Sequence, residues 1–172
     1  SAIRDWTDLG SLWHSVPTRF VLHFSLALNY RLGGFEVWGY HLVNLAIHLG
    51  AALLAYSLIR LIYSSPWARS QPPEAIRRGP QIALLSALVF VAHPAQTQAV
   101  TYIVQRAESL AAFFYLLTLV LYAKGRQIFI SSKLKAQSSK LKAQGLKQLS
   151  ALSFWLSALL CAVLGMLTKE TV

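Results

Sequence analysis

The sequence predicts an all-α protein, a polytopic transmembrane helical bundle of about four spans with one interfacial helix. Three observations carry that prediction. Residues 38–59 and 149–168 are runs of 22 and 20 positions without Lys, Arg, Asp or Glu. At about 1.5 Å of rise per residue, each is long enough to cross a hydrocarbon core of about 30 Å. The mean hydropathy of the chain is +0.48, with 55% hydrophobic residues. Finally, the charge is sorted: 11 of the 16 Lys and Arg residues fall between apolar stretches, in 60–78 and 124–147.

Residues 1–37 are expected to form an outer-face loop. Its polar beginning is interspersed with Trp6 and Trp13, as in segments that lie at a membrane surface. Residues 20–30 are an apolar run of 11, too short to span, and read as an interfacial helix ended by Gly33-Gly34. The bundle is expected over 38–172, with spans at about 38–60, 80–93, 107–123 and 149–168. The second and third are short: residues 79–105 carry no charge but are broken by Pro94, and 109–123 give only 15 uncharged positions.

Residues 64–80 hold four of the six prolines and read as an irregular connection. No Gly or Pro occurs in 95–123, which predicts a continuous helix there. The segment 131–144 is a tandem duplication of the heptapeptide SSKLKAQ, whose Leu134 and Leu141 suit a short basic amphipathic helix or a tolerated slippage repeat.

The basic segments 61–79 and 124–148 are assigned to the cytoplasm by the positive-inside bias, which puts the segments before the first span and after the last one outside. The formal charge of +10 is thereby explained as topology and attraction to lipid headgroups, and nucleic acid is excluded as a partner. Cys161 is the single cysteine. It can form neither an internal disulfide nor a Cys-based metal site and is read as a packing residue. The chain opens at Ser1 and closes at Val172 directly after a span, so it is expected to be a piece of a longer polypeptide.

Polar residues at membrane depth supply the candidate site. His41, Asn44 and His48 are spaced i, i+3, i+7 and share one helix face. Interhelical hydrogen bonding and ligation of a metal or haem are both compatible with that stripe. His93-Pro94 releases the second span at its mouth. Because the uncharged part of the third span covers only about 22 Å, Arg106 and Glu108 are drawn to the outer boundary, where charges are functional candidates. Lys169 and Glu170 close the last span on the same side. A fixed cation such as Arg106 or Lys169 is what an anionic headgroup there requires.

The blocks Leu26-Ala27-Leu28-Asn29-Tyr30 with Gly33-Gly34, Gly39-Tyr40-His41-Leu42-Val43-Asn44 with His48, 90–100 (FVAHPAQTQAV), Gln105-Arg106-Ala107-Glu108 and Leu167-Thr168-Lys169-Glu170-Thr171 together resemble the TMTC-like branch of the GT-C membrane glycosyltransferases. Bacterial members of that branch often carry tetratricopeptide repeats after the membrane part. The resemblance implies transfer of a mannose-like sugar from a polyprenyl-phosphate carrier to an acceptor on the periplasmic or lumenal face. It implies a carboxylate base, and cations or a divalent metal steadying the phosphate leaving group.

The acidic motif expected to supply the base would lie after a first span that precedes this sequence. Asp5 and Asp8 are in the corresponding loop but do not match the motif, and Arg19-Phe20 stands where the family often has Arg-Pro. The resemblance thus assigns lipid-phosphate and substrate contacts to Arg106, Lys169, His41, Asn44, His93, Glu108 and Glu170, with no metal ligand in this chain and a multi-pass location in a bacterial inner membrane rather than the endoplasmic reticulum. The competing class is a non-catalytic membrane subunit or scaffold packed among other membrane subunits, including complexes that hold pigment or haem.

Overall fold

In a computed structural model, the residues described are 19–138 and 144–168, without the side chains of Arg69, 133–138 and 144–148. Asp5, Asp8, Lys169, Glu170 and the middle of the SSKLKAQ duplication lie outside the described residues. The described chain is predominantly helical, with no strand among the described residues. Helix α1 is Phe20–Gly33, α2 is Val37–Tyr63, α3 is Pro73–Ala92, α4 is Thr97–Thr101, α5 is Arg106–Ser138 and α6 is Gln144–Met166. Four segments are long and apolar enough to cross a membrane: Val37–Tyr63, Pro73–Ala92, Ile103–Ser132 and Leu149–Met166. The protein is an integral, multi-pass membrane protein.

Between α1 and α2 the backbone turns at Gly34, whose φ of 57° is open to glycine but strained for other residues. Its N–H donates to Tyr30 O at 2.7 Å and its carbonyl accepts from Tyr40 Oη at 3.0 Å, so the turn is fastened to both helices. The most extensive packing joins α5 to α6, and α2 packs on both α5 and α3. Small residues permit these approaches, as is usual where lipid removes the hydrophobic drive between helices. A Cβ on Gly50 of α2 would lie 2.9 Å from Phe113 of α5, and one on Gly125 of α5 would lie 2.7 Å from Trp155 of α6.

Two local expectations are corrected. The proline-rich segment is largely helical: Pro66–Ser70 forms a 3-10 turn, and α3 begins at Pro73, seven residues before the predicted start. Proline is pre-organised for a first helical turn, where its missing N–H has no helical partner to lose. Pro80 is then accommodated inside the helix, at the loss of one backbone hydrogen bond. The predicted continuous helix over 95–123 is interrupted. After α4, Tyr102 is extended (φ −97°, ψ 120°), a 3-10 turn follows at Ile103–Gln105, and only then does α5 begin. Val100, Thr101, Ile103 and Val104 are β-branched and weaken the helix there, and side chains of α2 take up the carbonyls that the break releases. Beyond the third span, α5 runs on to Ser138.

Candidate functional site

Arg106, the first residue of α5, is completely buried. Its Nε donates to Asn44 Oδ1 at 2.7 Å, Nη2 donates to Tyr40 O at 3.0 Å, and Nη1 donates to Asn29 Oδ1 at 2.9 Å and Ser25 Oγ at 3.2 Å. The guanidinium carbon also lies 5.6 Å from the Tyr40 ring centroid. One side chain therefore joins α1, through Ser25 and Asn29, to α2, through Tyr40 and Asn44. The planar fork of donors makes this possible, because its directions are fixed and can serve several acceptors at once.

Asn44 extends the knot. It has no exposed surface, and its Nδ2 reaches Val100 O at 3.5 Å and Tyr102 O at 3.4 Å. His41 Nδ1 lies 3.3 Å from the same Val100 O, a hydrogen bond when that nitrogen carries the proton. The break between α4 and α5 is thereby bonded by two members of the predicted His41–Asn44–His48 stripe.

The third member works one turn deeper. His48 is buried, stacks on Phe90 with ring centroids 5.3 Å apart, and places Nε2 3.5 Å from Val91 O in the last turn of α3. It also lines a cavity of about 260 Å³ together with Gln96, Glu108 and Ser109. Glu108 is an exposed residue in the first turn of α5, two positions beyond Arg106 and so directed to a different side of the helix.

The candidate residues thus fall into separate groups. His41, Asn44 and Arg106 meet in the buried knot, whereas Glu108 faces the neighbouring cavity with His48. His93 is exposed and its Nδ1 accepts from the Ala95 N–H at 3.2 Å, capping the 3-10 turn Pro94–Gln96. Arg106 is not at an open mouth, as its position in the sequence suggested. All three of its nitrogens face protein oxygens, and the short uncharged stretch drew it inward to buried acceptors. Ser25, Asn29 and the Tyr40 carbonyl were not anticipated as partners. The signal available was Ser25 and Asn29 at i, i+4 on one face of an otherwise apolar run.

Every oxygen bonded to Arg106 is neutral, and no carboxylate pairs with it among the described residues. A buried cation solvated by neutral dipoles keeps its charge, so its field reaches past its contacts in a low-dielectric surrounding. The end of α6 lies close by: Val21 N donates to Leu167 O at 3.3 Å, and Thr168 is fully buried. Lys169 is the next residue in the sequence. Among the described residues no three His, Cys, Asp or Glu side chains are grouped to hold a metal ion, so they do not provide a donor set for the divalent cation that the family resemblance implies.

Part of the chain is similar to animal protein O-mannosyl-transferases. It is 33% identical over 134 residues to protein O-mannosyl-transferase TMTC4 of Homo sapiens, covering 69% of this chain and 18% of that protein. It is 38% identical over 102 residues to Tmtc3 of Drosophila melanogaster, covering 56% and 11%, and 35% identical over 101 residues to tmtc2 of Xenopus laevis, covering 58% and 10%. The chain thus spans less than a fifth of the length of these relatives. No family model matches it, and no solved structure does. The relatives are animal proteins and give no preference to a bacterial inner membrane over the endoplasmic reticulum.

Proposed function

We propose that this chain is the carrier-facing part of a membrane glycosyltransferase of the GT-C kind, which moves a mannose-like sugar from a polyprenyl phosphate to an acceptor on the periplasmic or lumenal face. The observation that carries this reading is the 33% identity over 134 residues to a protein O-mannosyl-transferase. In this reading the outer face is the side of the Arg106 knot, and the basic segments 61–79 and 124–148 are cytoplasmic. Arg106 acts as a positioning residue. It fixes α1 against α2 and the head of α5, and its unneutralised charge favours a phosphate nearby without touching it.

Direct contacts to the phosphate fall to Lys169, His41 and His93. Glu108, beside His48 and Gln96, serves the hydroxyls of the sugar, and the same role is assigned to Glu170. The general base belongs to the outer loop that precedes α1, in which Asp5 and Asp8 stand. Its task is to take the proton from the acceptor hydroxyl as that oxygen bonds to the anomeric carbon and the carrier phosphate departs.

The test is a titration of the purified protein in detergent with a short-chain polyprenyl phosphate, following the unfolding midpoint. A specific ligand at 100 times its dissociation constant stabilises by about 2.7 kcal/mol, and Lys169→Gln is expected to weaken the interaction about tenfold. Equal stabilisation of both proteins removes Lys169 from the phosphate site. Absence of any stabilisation of the wild type discards the carrier reading in favour of a non-catalytic subunit.

Orientation has its own test. Single cysteines at Ser70 and Ser139, in a background lacking Cys161, are expected to resist an impermeant thiol reagent added to the outer face and to react once the membrane is opened. Labelling from outside at either position overturns the topology.

A further inference from the structure

The far end of the bundle carries a second collection of cations, unconnected with the sugar-transfer reading. Arg60 of α2 and Lys124 of α5 line a cavity of about 430 Å³ with Tyr56, Tyr63, Ser57 and Ser64. Lys124 is 18 residues beyond Arg106 on one helix, hence about 27 Å along the axis. That separation is close to the thickness of a hydrocarbon core of about 30 Å. The cavity therefore sits at headgroup depth in the leaflet opposite the Arg106 knot.

The donors of this cavity are open in a way that those of Arg106 are not. Arg60 spends one Nη1 hydrogen on Tyr56 Oη at 3.0 Å, with its guanidinium 5.8 Å from the Tyr56 ring centroid. The rest of the fork has no bonded partner among the described residues. Because Tyr56 Oη accepts that bond, its own proton is available to a ligand. Lys124 forms no hydrogen bond or ion pair among the described residues and is exposed. Ser57 and Ser64 have their protons engaged with Leu53 O and Leu61 O, at 2.7 and 3.0 Å, and so form the wall. Two cations and a phenol proton thus line one recess without a carboxylate in its lining. The remaining walls include Leu61, Ile76 and Pro80, which suit glycerol and the first acyl carbons.

We propose that this cavity binds the phosphate ester of an anionic membrane lipid, held by the Arg60 fork, Lys124 and Tyr56 Oη. A lipid headgroup and a soluble phosphate ester share this chemistry. The depth of the site and its apolar walls favour the lipid.

The experiment follows the unfolding midpoint of the purified protein in non-ionic detergent against dioleoyl phosphatidylglycerol, dioleoyl phosphatidylcholine and inorganic phosphate. The wild type is compared with R60Q/K124Q and with R77Q/R78Q. The last pair removes equal charge from exposed positions of α3 that do not line the cavity. Phosphatidylglycerol is expected to raise the wild-type midpoint saturably, and R60Q/K124Q to raise the half-saturating concentration about tenfold or more. The R77Q/R78Q protein is expected to stay within about twofold, as for diffuse attraction at a basic surface. Should the double variant not fold, R60Q and K124Q taken singly are expected to weaken the lipid about threefold each. Saturable stabilisation by inorganic phosphate, lost in R60Q/K124Q, supports the anion site and assigns it to a soluble ester. Equal effects of the two lipids, equal weakening in the two double variants, or no effect of any ligand overturns the proposal.

Discussion

Replacement of Arg106 by leucine is expected to destabilise the protein by about 2–5 kcal/mol, because it takes the donor from several buried neutral oxygens at once. A single interhelical hydrogen bond contributes only about 0.6 kcal/mol on average within a membrane, because the separated helices find other partners. Arg106 exceeds that figure because its partners lie on two other helices at once: Asn29 and Ser25 on α1, Asn44 and Tyr40 on α2. Leucine leaves the buried Asn29 and Asn44 oxygens without a donor, each at a cost of about 1–3 kcal/mol. The gain from no longer burying a cation offsets part of this.

The order of the variants is as informative as their size. Arg106→Lys keeps the charge, but a single ammonium cannot bridge Asn44 and Asn29 as a planar fork does, so it is expected to fall between wild type and leucine. Asn29→Ala removes one partner and is expected to cost about 1 kcal/mol. Chemical unfolding in detergent, read together with protease sensitivity of α1, gives these values. Stability of Arg106→Leu within about 1 kcal/mol of wild type would show that the knot does not hold the helices together.

The spans were legible because charge is prohibitive in hydrocarbon, so runs such as 149–168 announce themselves without knowledge of their neighbours. The break at Tyr102 was not, since no Gly or Pro marks it. It persists because Asn44 and His41, more than 55 positions away, accommodate the freed Val100 and Tyr102 carbonyls. The helical character of 73–80 was hidden for the converse reason: proline signals interruption in a sequence, yet at the first turn it favours a helix.

Arg106 and Glu108 were both marked as candidates by depth alone. Depth could not tell which of them would be enclosed, because enclosure depends on Ser25 and Asn29, 81 and 77 positions distant. His48 was visible as the end of a stripe, but its place beside Glu108 depends on the fold of 90–97 back over α2.

On the proposed reading, Glu108→Gln is expected to lower kcat/KM for a mannosyl polyprenyl phosphate by about 10–100-fold while moving stability by less than about 1 kcal/mol. A carboxylate bonded to a sugar hydroxyl contributes about 1.5–3 kcal/mol through its charge. A structural Glu108 would contribute less: a negative charge in the first turn of α5 gains about 0.3–1 kcal/mol from the helix dipole, and an exposed ion pair about 0–1 kcal/mol. The two roles are therefore separable by magnitude as well as by readout.

The cavity favours the first role. At about 260 Å³ it falls just below the range of about 300–1,000 Å³ typical of ligand pockets, and its lining brings His48, Gln96 and Ser109 near the carboxylate, a polar set suited to hydroxyl groups. Arg106 holds the head of α5 in place two residues away, so the amide substitution changes the charge without releasing the helix. The measurement is carrier consumption by the full-length protein in membranes, with the unfolding midpoint recorded on the same preparation. An unchanged rate, or a loss of rate matched by a loss of stability, would return Glu108 to a structural role and leave this cavity without a substrate contact.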